Sequence, residues 1–310
     1  MSFSETIDAD RGLGSAYERY YFYELLDRWH RELGAKTFLE GPLDGMAGVP
    51  GVHGVGLARR GASVISVVRT EAQAAITRAV YRRAAPSGNV EVRVLPNLDD
   101  MESLPEADLV LAYHALEFVP DWRAFIERVA KRAQKGFVIT TCNPDNWGVE
   151  IIRSVGKLRG IQGLEPPDRW RTDALAPTLW RLGRVREHEF FDCPWWPDLQ
   201  VSPGQSLADR AKKLVLSRRK AVTFTADAAQ APELARRFVY GADRWPYFGD
   251  DGFDDELGPA LKRHPSFDRL ATSRWKALAG HLHAFLVDVS PRTPQQRRRL
   301  RLADSANEES

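Results

Sequence analysis

Short apolar runs and helical stretches take turns along the first half of the chain. Segments 37–40, 63–68, 90–95, 107–113 and 137–141 are strand-like and rich in Val, Ile, Leu, Phe and Thr. Between them, 71–83 and 122–134 carry apolar residues at helical spacing, and a shorter helix ends in Leu57-Ala58-Arg59-Arg60-Gly61. In the second of these helices Phe125, Ile126 and Val129 share a face, and Lys135-Gly136 is read as its stop. Pro86-Ser87-Gly88-Asn89 reads as a turn, and Asn97 to Met101 as a polar loop after the third strand. Ahead of the first strand, 15–34 reads as an amphipathic helix with Tyr17, Tyr20, Tyr21, Leu25 and Trp29 on one side. Strands alternating with helices predict a doubly wound, mostly parallel α/β sheet.

Past Asn143-Pro144 the pattern breaks. Residues 145–180 are rich in Gly, Pro and Trp (Trp147, Trp170, Trp180), with a short helix expected at 175–182. Alternation returns at 186–191, ends at Pro194-Trp195-Trp196-Pro197, and returns again at 281–289. An antiparallel pairing of those two segments would complete a seven-stranded sheet with an antiparallel edge pair. It divides the chain into a core (1–192 plus 281–291), a mostly helical insertion (193–280) and a disordered tail (292–310). Residues 145–180, with Trp195 and Trp196, are expected to cover the carboxyl edge of the sheet.

Composition narrows the function classes. The 310 residues are 43% hydrophobic and 28% charged, with a net charge of +2, which gives no basic field for nucleic acid or a membrane surface. Two cysteines, Cys142 and Cys193, rule out a disulfide scaffold and a thiolate zinc cluster. No apolar run approaches the ~20 residues that span a bilayer. A polar, acidic start (Ser4, Glu5, Asp8, Asp10) is unlike a secretory signal, so a cytoplasmic protein is expected. The expected partner is a small molecule. The insertion is also where copies of the chain could meet in a homo-oligomer.

Gly41, Gly45 and Gly48 fall where the first strand hands over to a helix, a place where ligands approach the backbone of such sheets. Together with Leu39-Glu40, they resemble the acidic residue and glycine loop of class I S-adenosylmethionine-dependent methyltransferases. Asp100-Met101-Glu102-Ser103-Leu104-Pro105 is similar to the family's segment after its third strand, and 107–122, with Lys135-Gly136-Phe137-Val138-Ile139, to its fourth strand through its fifth. The resemblance covers roughly residues 15–192 and 281–289, and it implies a seven-stranded sheet whose last two strands are antiparallel. It implies S-adenosylmethionine as cofactor, with Glu40 and the Gly41, Gly45 and Gly48 loop at its methionine part. Asp100 would take the adenine amino group, and the Met101 backbone the adenine edge. Tyr113 and His114 would border the methyl group. Arg69 stands where the family has a ribose-binding acid, and the nearest carboxylate is Glu71.

Among single residues, His114 is the best candidate for a general base, because imidazole titrates near neutrality. The plainer reading is a histidine of the pocket wall. Glu117 reads as a solvated or capping acid, and His53 as a helix residue after the glycine loop. His281 and His283 would share a face of an edge strand, yet no third metal ligand is evident, and no metal is expected. Two other functions compete with methyl transfer: a non-catalytic binding protein on the same fold, and a nucleotide-dependent oxidoreductase.

Overall fold

A computed structural model describes residues 13–41, 51–158, 165–192, 238–240, 246–248 and 272–290. In chain order come α1 (Leu13–Glu32), β1 (Thr37–Glu40), α2 (Val55–Arg59), β2 (Ser63–Val68), α3 (Glu71–Ala84), β3 (Val90–Val94), β4 (Ala107–Tyr113), α4 (Trp122–Arg132) and β5 (Ala133–Cys142). Then follow α5 (Trp147–Leu158), α6 (Thr172–Leu182), β6 (Arg184–Phe191), β7 (Phe238–Tyr240), β8 (Pro246–Phe248), α7 (Ser273–Ala279) and β9 (Leu282–Asp288). Seven strands form one sheet in the order β3-β2-β1-β4-β5-β9-β6, while β7 and β8 make a separate antiparallel pair. The strands β1 to β5 are parallel, and β9 runs against both β5 and β6. This is the expected doubly wound sheet with its antiparallel pair.

The two-residue period of the strands sorts their side chains onto two cores. In β4, Leu109, Leu111 and Tyr113 face a layer with Phe22, Leu26 and Trp29 of α1. Val110 and Ala112 face the opposite layer, with Phe125, Ile126 and Val129 of α4 and Leu175 and Leu179 of α6. Every residue of β4 is buried, as a central parallel strand requires. Local signals agree with the helices. The Thr70 side chain accepts from the Gln73 N–H and the Gln73 side chain reaches back, a reciprocal cap that starts α3 directly after β2. The Asp121 carboxylate caps α4 by accepting from the Ala124 N–H. At the far edge, Trp29 and Arg28 of α1 both donate to Glu187 of β6 at 2.8 Å, so the first helix ties down the last strand in the sheet order.

Some readings change. Lys135-Gly136 does not stop α4; both residues lie inside β5, which begins at Ala133. Gly136 is small because a Cβ there would meet the Val287 carbonyl and a Leu33 methyl at 2.9 Å. Lys135 reaches the Gly34 carbonyl at 2.6 Å and Asp108 at 3.3 Å. A full helix, α5, lies where the pattern breaks. Its Trp147, Ile151 and Leu158 are exposed, so its apolar positions do not mark a buried face. The loop after β3 is a 3-10 turn at Leu98–Ser103 whose Met101 is buried in the second core. Finally, β9 is not an edge strand. It fills the slot between β5 and β6, and β6 takes the edge. The tail, Trp195, Trp196 and most of the insertion lie outside the described residues.

At the amino-terminal edge, Asp108 joins three segments. Its carboxylate accepts from the Lys36 N–H at 2.6 Å and the Thr37 N–H at 3.2 Å, and pairs with Lys135. Partial burial pushes the Asp108 pKa up, but these donors outweigh it and hold the group below the usual carboxylate range. Asp108→Ala is expected to destabilise the fold by about 2–3 kcal/mol at pH 7, read from urea unfolding. Because the folded pKa is the lower one, this contribution should fade as the pH falls through it. An Asp108→Ala protein as stable as the parent at pH 7 would refute the assignment.

Candidate functional site

Strand order reverses between β1 and β4, so the crevice between their carboxyl ends is where an open α/β sheet takes a ligand. Gly41 follows β1 there. Its N–H donates to the Leu111 carbonyl at 2.7 Å, and a Cβ on Gly41 would sit 3.0 Å from that oxygen, so glycine is needed for this approach. Gly45 and Gly48 lie outside the described residues. Gly51, where the description resumes, has φ +74°, and a Cβ there would strike Ser66 Oγ at 2.1 Å. Ser66 Oγ donates to the Gly51 carbonyl at 2.9 Å and holds the end of the loop against β2.

Glu40 is fully buried at the end of β1. His53 Nδ1 lies 2.7 Å from its Oε1, and the Gly54 N–H donates to Oε2 at 3.2 Å. Both oxygens are therefore engaged by the segment that leads into α2. The His53 ring packs 4.2 Å from the Tyr113 ring and edge-on to Phe22 at 5.3 Å. Sequence reading put His53 on the helix after the glycine loop, whereas it lies in the turn before α2. Its separation of 13 residues from Glu40 matches no helical or strand period, so the pairing has no sequence signal.

Tyr113 and His114 end β4. The Tyr113 hydroxyl donates to Glu18 of α1. Burial, and then the charge of Glu18, push the Tyr113 hydroxyl well above its ordinary pKa, so it stays protonated. His114 takes a left-handed conformation, φ 50°, and its N–H donates to Thr140 Oγ1 at 3.0 Å. That turn ends the strand and brings His114, buried, against the end of β5.

Glu117 is not a solvated acid. Its side chain is only 9% exposed, and it joins three segments. Its Oε1 accepts from Thr141 Oγ1 at 3.1 Å and from Trp170 Nε1 at 2.5 Å, and its Oε2 faces Arg169 Nε at 3.3 Å. Through Glu117, residues 168–170 are fixed over the ends of β4 and β5. His114, Glu117 and Cys142 bring their donor atoms within 4.8 Å of one another. Cys142 belongs to no disulfide. On the neighbouring strand, His283 pairs through Nδ1 with His188 Nε2 at 2.9 Å, while His281 faces Asp192, also at 2.9 Å. The two histidines that alternation put on one face thus take separate partners.

The residues that the resemblance puts beside adenine and ribose lie at the ends of β2 and β3. Asp100 is exposed, and among the described residues its carboxylate has no partner. Arg69 donates from Nε to the Pro96 carbonyl at 2.9 Å and bridges the two strand ends. Glu71 turns outward on α3, 76% exposed, and pairs with Arg78 at 3.4 Å. Glu40, Gly41, Tyr113 and His114 are gathered at the crevice; Asp100 and Met101 stand beside it, and Glu71 stands away from it.

No protein-family model matches the chain. No curated protein matches it. Among solved structures it is similar to magnesium protoporphyrin IX methyltransferase from Synechocystis PCC 6803 with bound SAH, at 16% identity over 57% of this chain and 80% of that one, with a TM-score of 0.44. It is similar to the N-terminal domain of EvdMO1 in the presence of SAH and D-fucose, at 19% identity over 54% and 74%, TM-score 0.38. It is also similar to the [4+2]-cyclase SpnF, at 15% identity over 86% and 80%, TM-score 0.40. No described helix is long and apolar enough to cross a membrane.

Proposed function

We propose that the chain transfers a methyl group from S-adenosylmethionine to a small-molecule acceptor. The observation that carries this reading is the seven-stranded sheet whose last two strands, β6 and β9, are antiparallel, as the resemblance implies. A free carboxylate at Asp100, exposed beside the crevice, fits the adenine amino group, since an ionised carboxylate only accepts. Gly41 would allow the methionine part to approach β1, and Met101 would present its backbone to the adenine edge; by resemblance Gly45 and Gly48 would serve with Gly41. When bound, the cofactor supplies an electrophilic methyl on a sulfonium. The chain supplies alignment, worth about 7–11 kcal/mol of barrier in well-oriented reactions. Tyr113, its one hydroxyl proton held by Glu18, would shape the methyl end with its ring. His114 is the group set to take a proton from the acceptor.

A specific observation favours a second reading, a non-catalytic binding protein. Arg69 occupies the ribose side and Glu71 faces Arg78, so among the described residues no acid holds that end. One lost charge-assisted hydrogen bond costs about 1.5–3 kcal/mol, roughly 10- to 150-fold in affinity. Weak but measurable binding is therefore expected. At about 100 times the dissociation constant, S-adenosylhomocysteine should stabilise by ~2.7 kcal/mol and raise Tm by several degrees. Asp100→Ala should abolish the shift. Glu71→Ala reduces it only if Glu71 leaves Arg78 for the ribose. No shift and no heat of binding with millimolar S-adenosylmethionine or S-adenosylhomocysteine would favour the second reading.

A further inference from the structure

We infer that His114, Glu117 and Cys142 form a binding site for one divalent transition-metal ion of borderline softness, Zn2+ or Co2+. The site would stand whether or not the chain transfers methyl groups. One imidazole nitrogen, one carboxylate oxygen and one thiol sulfur come within 4.8 Å of one another, with His114 and Cys142 buried and Glu117 nearly so. Ligands of a tetrahedral metal at about 2.0–2.3 Å lie roughly 3.3–3.8 Å apart, so closure asks for side-chain shifts of about an ångström. The donor set is of the kind that suits Zn2+ and Co2+ rather than Mg2+ or Ca2+, which prefer all-oxygen shells.

The surroundings are built as a ligand shell is built. His114 is fixed by the turn at φ 50° and by the bond from its N–H to Thr140 Oγ1 at 3.0 Å. Glu117 is oriented by Thr141 and Trp170, both on Oε1. Such partners hold ligating carboxylates in place. A carboxylate offers about four acceptor positions, and the three protein donors leave one for an ion. Arg169 now stands beside Oε2 as the positive charge of this corner; its side chain is 34% exposed and can turn to solvent when an ion enters. Three protein ligands leave one tetrahedral position for an outside oxygen, nitrogen or sulfur, the arrangement of reactive rather than purely structural zinc sites. The site lies at the carboxyl ends of β4 and β5, so under the methyl-transfer reading that position faces the acceptor, and His114 acts there as a ligand instead of a base.

Cobalt tests this on the full-length chain. After treatment with a chelator and its removal, titration with Co2+ should saturate at one equivalent, with a thiolate-to-cobalt charge-transfer band and the visible bands of tetrahedral Co2+. The charge-transfer band should vanish in Cys142→Ser and persist in Cys193→Ser. His114→Ala and Glu117→Gln should each weaken binding at least tenfold, and Thr141→Val about 10- to 100-fold at most. X-ray absorption of the zinc-loaded parent needs no variant. It should show one sulfur near about 2.3 Å and nitrogen or oxygen near about 2.0 Å. No charge-transfer band, a band that survives Cys142→Ser or disappears with Cys193→Ser, or a zinc shell without sulfur would overturn the assignment.

Discussion

Replacing Glu40 by alanine is expected to destabilise the fold by about 2–6 kcal/mol, because it leaves two buried donors without an acceptor. The carboxylate only accepts, so the proton it shares with His53 sits on Nδ1. Alanine leaves the His53 Nδ1–H and the Gly54 N–H buried without an acceptor, about 1–3 kcal/mol each. Glutamine should be milder, at about 1–2 kcal/mol, because its oxygen can keep Gly54 and its amide can donate to a ring that moves its proton to Nε2. The measurement is urea unfolding of the two variants beside the parent. The idea is lost if alanine costs under about 1 kcal/mol or if glutamine is the worse of the two.

The second large effect is with pH. His188 and His283 share one hydrogen bond, in which one ring must donate and the other accept. A second proton would set N–H against N–H. Burial lowers the His188 pKa to about 4, and burial together with neighbouring His188 lowers that of His283 to about 3. His188 is also stacked on Phe285 at 4.2 Å, which keeps water from its face. Both folded values lie below the ordinary 6.5, so the unfolded chain takes up protons first as the pH falls. The contribution is complete above about pH 6.5 and declines down to about pH 4 and 3. At about 1.4 kcal/mol per pH unit, each histidine should remove about 2 kcal/mol of stability between pH 6.5 and pH 5. Urea midpoints at pH 7, 6 and 5 should fall steeply in the parent and less in a His188→Gln/His283→Gln double variant. Equal slopes in the two proteins would rule the pair out as the source.

Strands were legible where a single local signal decided them. The alternation in 90–94 marks a strand by its period, and the continuous apolar run of β4 by its shortness. The antiparallel pairing of β6 and β9 could be read from two alternating segments, but the place of β9 between β5 and β6 could not. Both arrangements bury the same apolar residues, and only the sheet order separates them. Helix α5 was passed over although Trp147, Ile151, Val155 and Leu158 recur at helical spacing, because the Gly, Pro and Trp content around it reads as loop. Lys135-Gly136 reads as a stop by composition, whereas Gly136 is chosen for close packing against β9. The resemblance singled out Glu40, Gly41, Tyr113 and His114, which the sheet gathers at the crevice, and Asp100, which stands beside it. The partnerships of the site were not legible: Glu40 with His53, Tyr113 with Glu18, and Glu117 with Trp170 join residues whose separations follow no local period. Such pairs exist only once the sheet has brought distant segments together.

The slot filled by β9 sets an order of events during synthesis. Strand β6 ends at Phe191 and β9 begins at Leu282, about 90 residues later. At ribosomal rates of 5–20 residues per second, β5 and β6 wait roughly 5–18 s for the strand that belongs between them. During that wait the nascent chain carries two bare strand edges, which invite pairing with other chains. A chain cut short before Leu282 is therefore not a smaller version of the same sheet but an open one.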